Sequence, residues 1–236
     1  MAQIYGQCIN DKWIYGLLPK LALNKLTQDM KPITAEPTFI VSDTFFVGTE
    51  DRQQLLDQRG MVIWFSGLSG AGKTTLANTL ECGLFKMGFK SFILDGDNLR
   101  RGLCNDLGFS GDDRSENIRR AGEVAKLMME SGLIVLSAFV TPFEKDRRLL
   151  RDLLKKNLVT VFVDCPLKVC EQRDTKGLYR KARKGEVRDF TGISSPFEVP
   201  TEPDITVKTA QFSKQVLVAN ILDLVLPKIR LGSSNP

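Results

Sequence analysis

Residues 61–75 read MVIWFSGLSGAGKTT, an apolar run that passes directly into a glycine-rich turn. Gly67, Leu68, Ser69, Gly70, Ala71, Gly72, Lys73 and Thr74 fit the pattern G-x-x-x-x-G-K-[ST] without a gap. Glycines let successive backbone N–H groups turn toward one anion. Lys73 adds a point charge at the outer phosphates, and the Thr74 hydroxyl is placed to ligate Mg²⁺. Thr75 leads into LANTLECGLF, which reads as a helix with its positive end toward the phosphates. A chance glycine-rich turn would need neither the strand at 62–65 before it nor this helix after it. The stretch therefore predicts a strand, a phosphate cradle and a helix, the opening unit of an α/β nucleotide-binding protein.

The 236 residues suit one α/β domain of ordinary size with an appendage, and 42% hydrophobic content is enough for a sizeable core. No apolar run reaches the roughly 18 residues of a membrane span, and the start MAQIYGQCINDKW shows no basic region followed by an apolar block. Neither a membrane nor secretion is expected. Five cysteines, at 8, 82, 104, 165 and 170, form no C-x-x-C pair and read as free thiols in a reducing compartment. The cytoplasm is the expected location, with an organelle of mitochondrial or plastid type as the alternative. Histidine is absent, which removes imidazole bases, serine–histidine triads and histidine metal sites. Chemistry must rest on carboxylates, Lys, Arg, hydroxyls and a bound ion. The net charge of +5, from 33 basic and 28 acidic residues, is mild and suits polyanionic small ligands as well as nucleic acid; taken with the motifs below, the expected partner is a small molecule and no nucleic acid.

Residues 1–45 read as an N-terminal extension. WIYGLLPKLALNKL mixes apolar and basic residues before prolines at 32 and 37 break any helix. A docking arm, a poorly ordered tail and a targeting remnant stay open, the scarcity of Arg and Ser weighing against the last. EDRQQLLDQRG then predicts a short helix ending at Gly60. After the cradle helix, a short strand at 91–94 delivers LDGDN at 94–98. Strand ends are where ligands bind in open α/β sheets, so Asp95 and Asp97 read as carboxylates for a metal and its water or for a substrate hydroxyl; a solvated helix-capping turn is the plainer reading. Asp113 with Glu116 resembles a capping box, followed by a helical stripe of Ile118, Ala121, Val124, Ala125 and Met128. Arg114 and Asn117 share a face at that helix start, where either a second anion or only solvent is met.

LIVLSAFV at 133–140 is the strongest buried strand, and it lacks the terminal acidic residue by which many phosphate-cradle enzymes hold magnesium. Asp95 or Asp97 must supply that function unless Asp164 does; Asp164, before Cys165 and Pro166, reads as a helix cap. The segment from 174 to about 198 is strongly basic, with Lys176, Arg180, Lys181, Arg183, Lys184 and Arg188 interleaved with Tyr179 and Phe190. It is either a solvated surface or a lid carrying positive charge over the nucleotides. PDITV is a last strand, and a helix over 212–226 and a polar tail close the chain. Strands alternate with helices, so the expected fold is three-layer α/β/α with a mostly parallel sheet, of the P-loop type, and a basic lid.

No N/T-K-x-D motif of a GTPase is present, nor the strand-end acid of a motor, and a compact chain with a basic lid favours a small-molecule kinase. The blocks WFSGLSGAGKTT, LDGDNLRRGL, DLGFSGDDRSENIRRAGEVAKL, FVDCPLKVCEQRD, KGLYRKARKGEVRDFTGISSPFE and EPDI, in this order over about 45–228, resemble the adenylylsulfate kinase family. The resemblance implies a kinase domain over 46–228 and a tail over 229–236. It implies a homodimer that uses ATP and Mg²⁺ to phosphorylate the 3′-hydroxyl of adenosine 5′-phosphosulfate. Carried over by position, residues 67–75 bind the ATP phosphates and Arg173 lies near the ATP base. Lys73, Asp95 and Asp97 carry the chemistry, with Thr74 and Asp95 at the metal. Arg100, Phe109, Arg114, Asn117 and the Val140 and Thr141 backbone form the acceptor site, where Phe190 faces Phe109 across the adenine and Asp97, Lys176 and Lys181 contribute. Where the family commonly has S-F-I-S-P-Y, this chain has Ala138, Phe139, Val140, Thr141, Pro142 and Phe143. A covalent phosphoserine step would need Thr141 instead, so direct transfer is expected. Arg101 and Ser194 replace a frequent histidine and aspartate. No sulfurylase domain is expected after 228. The rival from another class is a catalytically weak nucleotide-binding module for regulation or assembly.

Overall fold

The computed structural model describes residues 45–231 and the backbone of 7–9 and 12–14. Two compact units divide the chain, Met1–Gly48 and Thr49–Pro236. In the first, β1 (Gln7–Ile9) pairs antiparallel with β2 (Lys12–Ile14). The reading of 1–45 as an arm, tail or targeting remnant falls, apart from these two strands and residue 45, outside the described residues.

The second unit opens with α1 (Thr49–Leu56), then β3 (Met61–Ser66), α2 (Lys73–Lys86), β4 (Ser91–Asp95), α3 (Gly96–Arg100) and α4 (Gly111–Glu130). β5 (Ile134–Ala138), α5 (Glu144–Leu154), β6 (Leu158–Asp164), α6 (Leu167–Arg173), α7 (Leu178–Arg183), β7 (Ile205–Lys208) and α8 (Lys214–Ile229) follow. The sheet runs β4-β5-β3-β6-β7 and every pairing is parallel. β3 is central and buried along its whole length, which is why its sequence is a continuous apolar run rather than an alternation.

The period-2 geometry of β3 splits its side chains between two cores. Met61, Ile63 and Phe65 pack with Leu76, Leu80 and Leu84 of α2 and with Ile221, Val225 and Ile229 of α8. Val62 and Trp64 pack with Ala121, Ala125 and Met129 of α4 and with Leu150 and Leu154 of α5. The helical partners recur at four-residue steps, one face of each helix meeting the sheet. Both faces are thus covered, as expected. Among the described residues no helix is long and apolar enough to cross a membrane.

Several boundaries differ from expectation. α1 stops at Leu56 because Asp57 turns left-handed at φ 52°, and the chain then buries Gln58. Its amide donates to the Lys90 and Gly132 carbonyls, both at 2.8 Å, and accepts the Lys90 N–H at 2.7 Å. The box at the start of α4 is built from Ser110 and Asp113: Ser110 Oγ accepts the Asp113 N–H at 3.1 Å and donates to Asp113 Oδ2 at 2.7 Å. Glu116 instead pairs with Arg119 and Arg120. Asp164 ends β6 and caps no helix; α6 starts after Pro166, with no side-chain cap, and the Asp164 carbonyl accepts the Thr209 N–H at 3.2 Å. The last helix runs through Ile229, which is fully buried and accepts the Arg59 N–H at 2.7 Å, one residue into the expected tail.

Leu80 lies where α2 meets the sheet with no exposed surface. Leu80→Ala should cost about 2–5 kcal/mol through lost burial and a residual cavity. A lower urea midpoint at unchanged slope is the readout.

Candidate active site

Every functional segment leaves the carboxyl edge of the sheet. β3 runs into the cradle, β4 ends at Asp95, β5 leads to Val140 and Thr141, and β7 leads to Thr209. Together with the basic segment they enclose one cleft of about 1130 Å³. This is the edge at which open parallel sheets bind ligands.

The cradle is shaped by its carbonyls. Gly67 holds φ 147°, and a Cβ there would lie 2.6 Å from the Val163 carbonyl, so the first position admits only glycine. Lys73 Nζ donates to the carbonyls of Gly67 (3.0 Å) and Leu68 (2.8 Å). Tyr179 Oη donates to Ser69 O at 2.9 Å. Arg173 Nη1 reaches the carbonyls of Gly70 and Ala71 at 3.4 and 3.3 Å, and Thr209 Oγ1 donates to Ala71 O at 2.7 Å. The first N–H groups of α2 have no intrahelical acceptor and, with the helix dipole, favour an anion there. Burial pushes the Lys73 ammonium from 10.5 down to about 8, Lys176 acting in the same direction and Asp95 and Asp97 opposing.

Thr74 Oγ1 donates to Asp95 Oδ2 at 3.0 Å, bringing the two expected metal residues together. Asp95 Oδ1 accepts the Asp97 N–H at 3.0 Å, so Asp95 caps α3, which is the plainer reading of this turn. Asp97 forms an ion pair with Lys176 of the basic segment. Among the described residues no group of three or more acidic, Cys or His side chains could hold a metal by themselves. A hydroxyl and a carboxylate beside a phosphate cradle suit Mg²⁺, which keeps waters and shares phosphate oxygens.

The far side of the cleft is cationic and aromatic. Arg100 donates to the carbonyls of Leu107 (3.2 Å) and Gly108 (2.8 Å) and lies 4.5 Å over the Phe109 ring. Arg114 donates from Nε to Phe109 O at 2.9 Å and from Nη2 to Asp189 O at 2.6 Å. Neither guanidinium forms a carboxylate ion pair among the described residues. Burial lowers the pKa of both; Asp113 and Asp97 oppose it at Arg100, while at Arg114 the Arg100 charge adds to it and Asp189 opposes it. Asn117 lines the cleft and is buried, and its Oδ1 is enclosed with no hydrogen-bond partner among the described residues.

Phe109 and Phe190 line this same cleft but hold different neighbours. Phe109 is 55% exposed under Arg100, whereas Phe190 is buried with its ring edge-on to Tyr179 at 5.0 Å. Val140, Thr141, Arg173 and Lys176 also line it. Lys181 does not: it is exposed and lies outside the lining, because Ala182 is the residue that this short helix turns inward. Thr141 is buried at φ 45°, and Trp64 Nε1 donates to its Oγ1 at 2.8 Å. Tyr179 and Thr209 as supports of the cradle were not apparent from sequence; their contacts span 110 and 138 residues.

With this geometry in place, comparison with known proteins shows its relatives. A family model described as adenylylsulphate kinase matches residues 59–208. The adenylyl-sulfate kinase of Clostridium kluyveri is 53% identical over 184 residues, 78% of this chain and 92% of that protein. That of Shewanella amazonensis is 55% identical over 169 residues, 71% and 85% respectively. The Mycobacterium tuberculosis APS kinase, solved in complex with AMPPNP and APS, is 43% identical with a TM-score of 0.69, covering 71% of this chain and 98% of that one.

The Lys73 value sets a pH dependence. Below about pH 8 the ammonium is charged in free and liganded protein alike. Above it the free protein loses the charge, while bound phosphates raise the pKa and retain it. Binding of a nucleoside triphosphate should therefore take up protons above about pH 8 and weaken as pH rises. Titration calorimetry in buffers of different ionisation enthalpy reads both effects.

Proposed function

The chain belongs to the adenylylsulphate kinase family, and on that premise we propose that it transfers the γ-phosphoryl group of ATP to the 3′-hydroxyl of adenosine 5′-phosphosulfate. The products are ADP and 3′-phosphoadenosine 5′-phosphosulfate, in sulfate assimilation. One observation supports this over simple nucleotide binding. The cleft that contains the cradle is also lined by Arg100 and Arg114, which form no carboxylate ion pair among the described residues, and by the exposed ring of Phe109. A module that only bound ATP would have no use for a second anion site facing the first.

Phosphoryl transfer needs positioning and charge neutralisation more than covalent chemistry by the protein. Residues 67–75 hold the donor phosphates, with Lys73 following the transferring group. Thr74 and Asp95 would hold Mg²⁺, which when bound offsets charge on the phosphate oxygens. Arg100 and Arg114 pair with the acceptor's phosphosulfate, Phe109 and Phe190 flank its adenine, and Asn117 stands in the same wall of the cleft; stacking of this kind contributes about 1–3 kcal/mol per base. Asp97 orients the 3′-hydroxyl and takes up its proton as the new bond to phosphorus forms. Lys176 balances the charge of Asp97.

Direct transfer is supported by Thr141. Its hydroxyl accepts the Trp64 indole N–H inside the core, and the residue is only 1% exposed. The four described cysteines are free, three of them buried, which suits the reducing cytoplasm we propose as the compartment. We further propose a homodimer, to be read from the mass of the eluting species in light scattering.

ADP release with adenylylsulfate, ATP and Mg²⁺ decides the main reading. Turnover is expected; background rates with intact nucleotide binding would overturn it and leave the regulatory module. Asp97→Ala should lower kcat by about 10²–10⁴ with little change in ATP affinity, and an unchanged kcat would remove Asp97 from the chemistry. Incubation with ATP and Mg²⁺ alone should leave the protein unphosphorylated by intact-mass spectrometry; a phosphorylated Thr141 would refute direct transfer.

A further inference from the structure

Arg147 is 4% exposed, stands in the first turn of α5 and does not line the cleft. A buried guanidinium is tolerated only where its donors are matched. Three of them are. Nε donates to Glu144 Oε2 at 2.7 Å, Nη1 to Thr141 O at 2.9 Å and Nη2 to Glu198 O at 2.8 Å. The last two acceptors are backbone carbonyls from different segments, the cleft-lining turn at Thr141 and the end of the basic segment at Glu198. Thr141 is a β-branched residue held left-handed at φ 45°, a conformation that relaxes unless its surroundings over-determine it. Glu198 lies at the C-terminal root of the basic segment.

The same two places are joined again. Glu198 donates its N–H to Pro142 O at 2.9 Å, and its Oε2 accepts the Glu144 N–H at 2.6 Å. Arg151 bridges Glu144 Oε1 at 2.9 Å and Glu202 O at 3.1 Å. Arg147 is the centre of this cluster, and it makes no hydrogen bond to residues 67–75.

We propose that Arg147, clamped by Glu144, is a positioning residue for the acceptor nucleotide: it fixes the strained turn at 140–141 and the root of the basic segment at 198 as one unit, so that the turn and Phe190 address the same ligand. This rests on the acceptor-kinase reading given above. Without the guanidinium the buried Thr141 carbonyl loses its partner and the turn is free to relax. A displacement of about 1 Å in a positioning group can lower a rate by about 10². The donor cradle is supported by other residues, Lys73, Tyr179, Arg173 and Thr209, so the effect should fall on one substrate.

The test compares wild type with Arg147→Met, which keeps volume and removes the donors, and Arg147→Lys, which keeps the charge but not the fork. Steady-state kinetics are taken for each substrate, with ATP binding by calorimetry and thermal midpoints alongside. The expected result for Arg147→Met is a rise in KM for adenylylsulfate of about tenfold or more, with KM and Kd for ATP within about twofold. Arg147→Lys should fall between it and wild type. A lower thermal midpoint with both KM values unchanged, or moved equally, would overturn the proposal and leave a purely structural arginine. Should Arg147→Met fail to fold, Arg147→Lys decides by the same split: a selective rise in the acceptor KM supports the proposal and no selective rise overturns it. Wild type without turnover would strike the kinase reading itself, whereas active wild type with unselective variants strikes only this role of Arg147.

Discussion

Five consecutive carbonyl groups, from Gly67 to Ala71, are each bonded to a side chain: the first two to Lys73, the next to Tyr179, the last two to Arg173, with Thr209 joining at Ala71. The N–H and C=O of a peptide unit point in opposite directions, so anchoring the carbonyls determines where the N–H groups face. A loop held in this way binds phosphate with little rearrangement, which is the condition under which fixed dipoles are most effective. Lys73 is the exception. Its ammonium rests on the loop's own carbonyls, and burial disfavours its charged form, so an anion placed beside it would restore that charge.

The two halves of the cleft share one reference, the central strand. The carboxyl end of β3 becomes the cradle, while Trp64 from its interior stacks on Phe139 at 4.8 Å and holds Thr141 through its indole N–H. A strand with no exposed residue and parallel neighbours on both sides is a stiff origin for both. Distances across the cleft, from the cradle to the turn at Thr141, are thereby set by core packing rather than by loops alone.

This division explains what could be read from the chain. Strand, cradle and helix are contiguous, and their period and glycine spacing carry the reading without tertiary information. Asp95 and Asp97 were visible because strand ends bear ligands, and the pairing of Asp95 with Thr74 follows. What could not be read depends on contacts between distant residues or on competition between neighbours. Tyr179 touches the cradle across 110 positions, and Arg147 reaches Glu198 across 51. Glu116 had the spacing for a capping box with Asp113, but Ser110, three residues before Asp113, took the cap and two arginines took Glu116. Lys181 belongs to a basic run in which sequence alone does not tell the inward side from the outward, and Tyr179 and Ala182 are the residues that turned in.

The basic segment is anchored unevenly, and the unevenness bears on how the cleft works. Tyr179, Ala182 and Phe190 are buried, so the segment's weight rests on apolar contacts, while Arg180, Lys181, Arg183, Lys184 and Arg188 face outward. Its polar ties to the site are of another kind. The Lys176–Asp97 pair has side chains 56% and 59% exposed, and exposed pairs of that sort contribute about 0–1 kcal/mol. Parting them to let Asp97 meet a hydroxyl is therefore cheap, whereas lifting Tyr179 or Phe190 from the core would expose apolar area worth about 1.5–3 kcal/mol for each large side chain. An incoming acceptor would thus displace Lys176 before it displaced either ring. Lys176 lines the same cleft as the cradle, and the segment's hold on the fold rests on its buried rings.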